Sequence, residues 1–527
     1  MGIMSHPVIP APLRFEAGRG REFAFRPGTT VAYAGHGLAP AAERFCAQIT
    51  RRTGLRLVPR ASESALDKPS VSIELADEDD LRALPAPQGL WPAGDGPADE
   101  RHSLVIDADQ VVVRAVAPAG VARGLTTLVQ LVATAPPGGA GEIRVPGARI
   151  LDVPRYAWRG LSLDVARTFF TVGEIRRVID LLELYKLNVL HLHLTDDQAW
   201  RLPEPEPGAA FYRKEDLRAL ASYAAERFVT IVPEVDTPGH ASALMRLRPD
   251  LSTGRNEAEW ELLPGHGHHT VWLDPELPAT FELIGQVLAG VAELFPGRYL
   301  HIGGDEPRGM PGELYRDYIE RLRRLVRSLG RRPLGWQETA RAGLGPDDVI
   351  QYWFSGIALP ASLPPRVRGQ MDADLAMSRR DVETAAAASV PVIVSPLSHC
   401  YLDVPYAEPS DDPAQAGRQG RVGLRLYGPQ TVAGSFGWEP GETLGPGRDA
   451  QVAGVEAAIW AETISGFDDL SFLLLPRLAG VAHRAWSAPQ VTDWAGHRDR
   501  LARHGRLWAQ DDLTYFRTSA VDWRPGS

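Results

Sequence analysis

From residue 159 onward the chain offers eight short apolar segments, separated from one another by helical or loop-like stretches. They are RGLSLDVA (159–166), NVLHLHL (188–194), FVTIVPEVD (228–236), RYLHIGG (298–304), RPLGW (332–336), DVIQYW (348–353), VPVIVSP (390–396) and VEAAIWAE (455–462). Eight strands joined by crossovers are the pattern of a closed (β/α)8 barrel. The first crossover reads as a helix: Thr171 and Glu174 make a capping box, and Val172, Ile175, Ile179 and Leu182 recur at helical spacing. The next strand puts Leu190, Leu192 and Leu194 on one face and His191 and His193 on the other.

Ahead of the barrel, VSIEL (71–75) and VVVRAV (111–116) read as strands and AGVARGLTTLVQLVATA (119–135) as a helix. PPGGAGE (136–142) then makes a turn-rich break. The expected organisation is an N-terminal α+β domain over 1–150, a catalytic barrel over 151–488, and a helical extension over 489–527 packed on the barrel. The fold class is therefore α/β, a TIM barrel preceded by a small α+β domain.

Charge narrows the partners. Lys+Arg 56 against Asp+Glu 66 gives a formal charge of −10 with no long basic run, which argues against a nucleic acid. The first twenty residues show no basic start followed by an apolar core, and no stretch of about 18 apolar residues occurs, so neither secretion nor membrane insertion is signalled. Cys46 and Cys400 lie far apart and read as reduced thiols, so a cytoplasmic location is expected, with a missing leader left open. GHGHH (265–269) reads as a solvated loop, not a metal tract.

In a parallel barrel the C-terminal ends of all strands meet at one face, where barrel enzymes keep their sites. Polar and aromatic residues gather at those ends: Arg167, Asp196, Asp236 with His240, Asp305 with Glu306, Trp336, Trp353, Tyr401 with Asp403, and Trp460 with Glu462. Tryptophan faces cover the apolar faces of sugar rings, and carboxylates with an arginine hold hydroxyls. The pocket therefore favours a carbohydrate.

Asp305 and Glu306, in HIGGDEP (301–307), pose a problem for ordinary glycoside chemistry, in which two carboxylates straddle the scissile bond. Adjacent residues cannot do that. Gly303 and Gly304 allow a kink that brings both side chains into the pocket on the same sugar. Such a pair makes sense if the substrate supplies the nucleophile through a 2-acetamido group: Glu306 protonates the leaving oxygen, and Asp305 holds the acetamide N–H and steadies the developing positive charge. A rival reading takes His191, His193, His240 and an Asp as metal ligands of a barrel hydrolase. It is disfavoured because no later strand end offers a further His or Lys, and satisfied histidines are the commoner fate.

The segments DVARTFF, HLHLTDDQAWR, VPEVDTPGH, HIGGDEP, YLD and WAE together resemble the β-N-acetylhexosaminidases of glycoside hydrolase family 20. The resemblance runs in order from about residue 20 to 490. It implies an exo-acting retaining enzyme that removes terminal β-linked N-acetylglucosamine or N-acetylgalactosamine through an oxazolinium intermediate, with no metal or organic cofactor. By this resemblance Glu306 is the general acid/base, Asp305 orients the acetamido group, and Tyr401 hydrogen-bonds its oxygen. Asp196 and His240 support Glu306; Arg167, Asp403 and Glu462 hold ring hydroxyls; and Trp336, Trp353, Trp438 and Trp460 wall the pocket. Asp236 and Asp197 are assigned to supporting or binding positions.

The expected partner is an oligosaccharide or glycoconjugate ending in a 2-acetamido sugar, with a homodimer left open. A catalytically idle amino-sugar-binding protein is the alternative from another class. The chain departs from the family at the short proline-rich LPEPEPGAAFYRKED (202–216), in the long 355–389 connection, and at EPSDDPAQAGRQGR (408–421), which reads as a mobile surface insertion. These departures fall on the leaving-group side.

Overall fold

The computed structural model describes residues 6–34, 37–62, 70–76, 79–93, 99–261, 267–356 and 364–523. Strands β1 (Arg14–Phe25), β2 (Thr30–Tyr33), β3 (Val58–Ala61), β4 (Ser70–Leu75), β5 (His102–Ile106), β6 (Gln110–Ala115) and β7 (Ile143–Asp152) form one mixed sheet in the order β1-β7-β5-β6-β4-β2-β3. Helices Ala39–Thr53 and Pro118–Thr134 pack on it, and Phe45, Ile49, Val121, Leu125 and Val129 join Val71, Ile73, Val111 and Val113 in one core. The sequence-expected strands and helix of this region are all present, within a residue or so of their expected ends.

The barrel follows. Strands β8 (Trp158–Asp164), β9 (Val189–His193) and β10 (Thr230–Glu234) come first, then a separate antiparallel hairpin of β11 (Glu257–Glu261) and β12 (Gly267–Val271). After it come β13 (Tyr299–His301), β14 (Arg332–Trp336), β15 (Val349–Tyr352), β16 (Val392–Val394) and β17 (Val452–Ile459). The eight barrel strands close in the order β10-β13-β14-β15-β16-β17-β8-β9, every pair parallel. This is the TIM barrel that the eight apolar segments predict.

The helix Val172–Leu184 begins at the expected capping box: Glu174 N donates to Thr171 Oγ1 at 3.2 Å, and Thr171 N donates to Glu174 Oε2 at 2.7 Å. Its stripe of Ile175, Val178, Ile179 and Leu182 is buried with Leu190 and Leu192 of β9, between helix layer and barrel wall. The opposite face of β9 points inward. The barrel interior is layered: Trp158, Val189, Val232, Tyr299, Leu334, Val349, Ile393 and Ala453, one from each strand, make an apolar floor. Above the floor the interior turns polar, with His191, His193, Glu234, His301, Gln351 and Glu456 all buried.

Two expectations about loops are corrected. Gly265 and His266 of the GHGHH tract lie outside the described residues, but Gly267–Val271 is strand, not loop, because it pairs in register with Glu257–Glu261. The 408–421 segment is also no loose insertion. It folds into the short turns Pro413–Gln415 and Ala416–Arg421, and Arg418 and Arg421 both reach Asp469 (3.1 and 2.6 Å). Arg517 pairs with Asp411 at 2.8 Å. The long 355–389 connection is mostly the helix Pro365–Ala387, which walls one side of the barrel mouth.

Cys46 and Cys400 are buried and free. Among the described residues no helix is long and apolar enough to cross a membrane.

Candidate active site

A cavity of about 930 Å³ opens at the C-terminal ends of the strands. Its lining includes Arg167, Asp197, His240, Glu306, Trp353 and Glu462, gathered from segments nearly 300 residues apart in sequence. That volume lies at the upper end of the usual range for ligand pockets.

The pair Asp305 and Glu306 is reached through a backbone kink. β13 ends at His301, and Gly303 (φ 66°) and Gly304 (φ 98°) take left-handed conformations that favour glycine. At Gly303 a Cβ would come within 1.6 Å of Asp236 Oδ1, so a side chain cannot be accommodated. Asp236 Oδ1 in turn accepts the Gly304 N–H at 3.2 Å and pins the kink. The two acids then diverge. Asp305 is buried beside His240, with Nε2 to Oδ2 at 3.5 Å, while Glu306 (φ 43°) faces the cavity and pairs with Arg308 at 2.7 Å. His240 (φ 52°) and Glu306 are both non-glycine residues in the left-handed region, backbone strain of a kind that gathers at functional sites.

His240 was expected to support Glu306. Its ring contacts two other acids instead: Nδ1 meets Asp196 Oδ1 at 3.3 Å and Nε2 meets Asp305. The left-handed turn at Glu306 carries that side chain toward Arg308 instead. Burial opposes a charge on His240, but Asp196, Asp305 and Asp236 outweigh it and hold the imidazole protonated, well above its ordinary pKa. Asp196 resists burial in the same way, through Arg167 at 2.6 Å together with His240 and His193, and its carboxylate lies well below the usual range. Asp236, by contrast, is buried and faces Asp305, which pushes it well above the usual range. Asp197 accepts Ser242 N–H (3.0 Å) and Oγ–H (2.5 Å), fixing the start of the helix Ser242–Leu247 at the cavity edge.

Arg167 donates to Asp164 at 3.3 Å, Asp196 at 2.6 Å and Gln198 at 3.0 Å, and lies 5.2 Å over the Trp460 ring. Trp336, Trp353, Tyr401 and Trp460 form one aromatic cluster: Trp353 stacks on Tyr401 at 6.0 Å and 16°, and Trp460 lies 6.0 Å from Trp336 and 6.1 Å from Tyr401. Trp353, with Phe354 and Tyr427 of the same apolar cluster, lines the cavity surface proper; Trp336, Tyr401 and Trp460 pack behind them. Asp403, close by, accepts Trp460 N–H at 3.4 Å. Burial, with Glu462 nearby, raises Asp403 to about 8.

Trp438 is not part of this cluster. It stacks on His399 at 5.4 Å and 8° and belongs to the core between barrel wall and helices. Its assignment as a pocket wall is corrected: it sits in the hydrogen-bonded turn that follows Val432–Phe436 and does not line the cavity.

The sequence reading missed the inner polar layer. Glu234 accepts from His193 Nδ1 (2.5 Å) and from Trp336 Nε1 (2.8 Å), and Glu456 takes Trp158 Nε1 (2.8 Å) and His191 Nδ1 (2.9 Å). His193 Nε2 reaches Asp196 at 2.9 Å, so both of its ring nitrogens are committed to carboxylates. These two histidines are thus carboxylate-paired supports. Also missed were Arg308, Glu338 and Tyr427. An acid buried at a strand end, as Glu338 is in GWQE (335–338), was the available signal.

Residues 156–489 match the family described as glycosyl hydrolase family 20, catalytic domain, and residues 5–153 match its domain 2. The chain belongs to glycosyl hydrolase family 20. It is 36% identical over 454 residues to a β-N-acetylhexosaminidase of Cellulomonas fimi, covering 83% of each chain. In structure it resembles the GH20 β-N-acetylhexosaminidase of Streptomyces coelicolor A3(2), with TM-score 0.79, 31% identity, and coverage of 98% of this chain and 99% of that one. It also resembles a mutant Streptomyces plicatus β-hexosaminidase in complex with product GlcNAc, with TM-score 0.80, 29% identity, and coverage of 99% and 98%. This family 20 chain is a glycoside hydrolase of the β-N-acetylhexosaminidase type.

Proposed function

We propose that the enzyme is exo-acting and retaining, and that it removes a terminal β-linked N-acetylglucosamine or N-acetylgalactosamine with the sugar's own acetamido oxygen as nucleophile. The observation that carries this reading is the divergence of Asp305 and Glu306 from one kink, the first buried beside His240 and the second facing the open cavity. In the first step the acetamido carbonyl oxygen bonds to the anomeric carbon as the glycosidic C–O bond breaks, and Glu306 gives its proton to the departing oxygen. Asp305 accepts the acetamide N–H and offsets the positive charge of the oxazolinium ring. In the second step Glu306 takes a proton from water, whose oxygen attacks the anomeric carbon from the face the leaving group vacated. The ring opens with net retention.

The other roles follow from chemistry. Tyr401 donates to the acetamido oxygen, and Trp336, Trp353 and Trp460 exclude water from the methyl group. Arg167 with Glu462 and Asp403 takes the ring hydroxyls; a neutral Asp403 can donate as well as accept. Protonated His240 holds Asp305 in place while remaining within reach of Asp196.

The test compares p-nitrophenyl β-N-acetylglucosaminide with the plain β-glucoside, and adds an N-acetylglucosamine thiazoline, a mimic of the bicyclic intermediate. Strong preference for the acetamido sugar with tight thiazoline inhibition is expected. Equal cleavage of both sugars with an inert thiazoline would mean that the protein supplies the nucleophile.

A further inference from the structure

Glu338 is the buried acid of the cavity to which the substrate-assisted mechanism gives no part. It sits on the turn Gln337–Ala342 directly after β14, is only 6% exposed, and lines the cavity. Its neighbour Gln337 grips the chain after β15, with Oε1 accepting both Trp353 N–H and Phe354 N–H at 3.0 Å. Glu338 Oε2 then accepts the Trp353 indole N–H at 3.2 Å. Trp353 is thus held at its backbone by Gln337, at its edge by Glu338 and on its face by Tyr401.

We propose that Glu338 is a positioning residue of this site: its carboxyl fixes the indole edge of Trp353, and through it the wall that presses the acetamido group toward Asp305. The inference rests on the substrate-assisted reading above.

The electrostatics give this carboxyl a second duty. Asp305 faces it from the end of β13, Tyr315 from the helix Gly312–Ser328, Arg341 from its own turn, and Asp381 from the helix Pro365–Ala387. Arg341 is claimed by Asp381 through contacts of 3.1 and 2.7 Å, and its charge only partly offsets the rest. Burial first, then Asp305 and Asp381, raise Glu338 to about 8. A neutral Glu338 leaves the negative charge of Asp305 unopposed when the oxazolinium forms. An ionised one adds a like charge beside it, and the repulsion between the two carboxylates pushes Asp305 out of register with the acetamide N–H.

The experiment uses the full chain, wild type alongside Glu338→Gln and Glu338→Leu, with kcat and KM measured on the aryl N-acetylglucosaminide from pH 5 to 9.5. Glutamine keeps an acceptor for the indole and cannot ionise. Glu338→Gln should match wild type at pH 6 and hold its kcat/KM further into the alkaline range. Glu338→Leu should lose roughly tenfold to a hundredfold at every pH, mostly in kcat, because the nucleophile is misplaced and not merely bound less.

Wild-type behaviour in the leucine variant, or an alkaline limb in Glu338→Gln identical to wild type, overturns the proposal. Should the leucine variant fail to fold, the alkaline limb of the glutamine variant decides alone. Wild-type thiazoline inhibition, run in the same series, separates the two failures: an inert thiazoline sinks the mechanism itself, whereas tight inhibition with unresponsive variants sinks only the role of Glu338.

Discussion

Two clusters of buried charge lie at opposite ends of the barrel, and they are built on opposite rules. At the N-terminal end, against the α+β domain, Glu100 is held by Arg123 (2.7 Å) and by both oxygens to Arg159 (2.7 and 2.9 Å). Nearby Asp152 takes Lys186 Nζ at 2.8 Å and Trp486 Nε1 at 3.0 Å, while Lys186 lies 4.5 Å and Arg159 4.9 Å over the Trp486 ring. Each anion there is matched by a cation. At the C-terminal end the acids Asp196, Asp236, Asp305, Glu338 and Asp403 outnumber the cations facing them: Arg167 and His240 hold Asp196, the same His240 meets Asp305, and Arg341, claimed by Asp381, only partly offsets Glu338. Three of those acids, Asp236, Glu338 and Asp403, are pushed up by burial, and Asp305 Oδ1 and Asp403 Oδ2 have no protein hydrogen-bond partner. Matched charge joins domains; surplus acid waits for a substrate.

The largest expected effect breaks the surplus-acid side. Glu306→Gln removes the proton donor, and a substrate with a poor leaving group should lose about 10²–10⁴ in kcat. An activated aryl leaving group should suffer far less, and the melting temperature should stay nearly level, since the part-exposed Glu306–Arg308 pair that the change weakens contributes little to stability. Equal losses on both substrates would remove Glu306 from the acid role.

The matched cluster should answer in the other currency. Glu100→Gln leaves the fully buried guanidiniums of Arg123 and Arg159 without their anion, which should cost on the order of 3–5 kcal/mol of stability with kcat and KM unchanged on the folded fraction. Burial opposes the charge on Glu100, yet Arg159 and Arg123 hold its carboxyl below the usual range. Its contribution is therefore present above the unfolded glutamate pKa and fades as the pH falls through the folded value. Denaturant titrations of the variant and wild type should converge on acidification. A penalty that does not shrink there would mean the loss is packing, not charge.

Legibility in the sequence differed between the two ends for a physical reason. Strand periodicity and the capping box at Thr171 are local patterns, so the barrel and its first helix could be read directly. The site acids at strand ends could be read because parallel topology forces those ends together. Glu100, Arg123, Arg159 and Lys186 gave no such sign, because their pairing depends on how two domains meet. Glu234 and Glu456 were equally hidden, each a single acid within an apolar strand whose histidine partners lie on another. The metal-like His191 and His193 found their explanation only when those carboxylates came into view.

Asp403 tests the surplus-acid rule through pH. Its folded value of about 8 lies above the ordinary aspartate value of 3.8, so the folded state binds the extra proton. Stability at this residue is then fullest below the unfolded pKa and declines as the pH rises toward 8. Asp403→Asn has nothing to ionise, so relative to wild type it should gain stability at pH 8 and gain little at pH 4, as read by thermal melts. KM for the sugar should rise through loss of a hydroxyl partner. A stability difference that ignores pH would show Asp403 to be charged in the fold.

The smallest effect separates two tryptophans that sequence alone treats alike. Trp438 lies against His399 in the outer core, whereas Trp353 is bonded to Glu338 and lines the cavity. Both are nearly buried, at 8% exposure each, so Trp→Phe at either should cost about 1–2 kcal/mol of stability through lost packing. Their kinetics should part. Trp438→Phe should leave kcat/KM within about twofold of wild type, because a change confined to the outer core acts independently of the site. Trp353→Phe loses the indole N–H that Glu338 accepts and part of the wall behind the acetamido group, so kcat/KM should fall by roughly tenfold or more. The aryl N-acetylglucosaminide assay, with melts as the control for folding, distinguishes them. A kinetic defect at Trp438 as large as that at Trp353 would return Trp438 to the sugar pocket, and would mean that the boundary between site and scaffold lies further from the strand ends than the aromatic cluster implies.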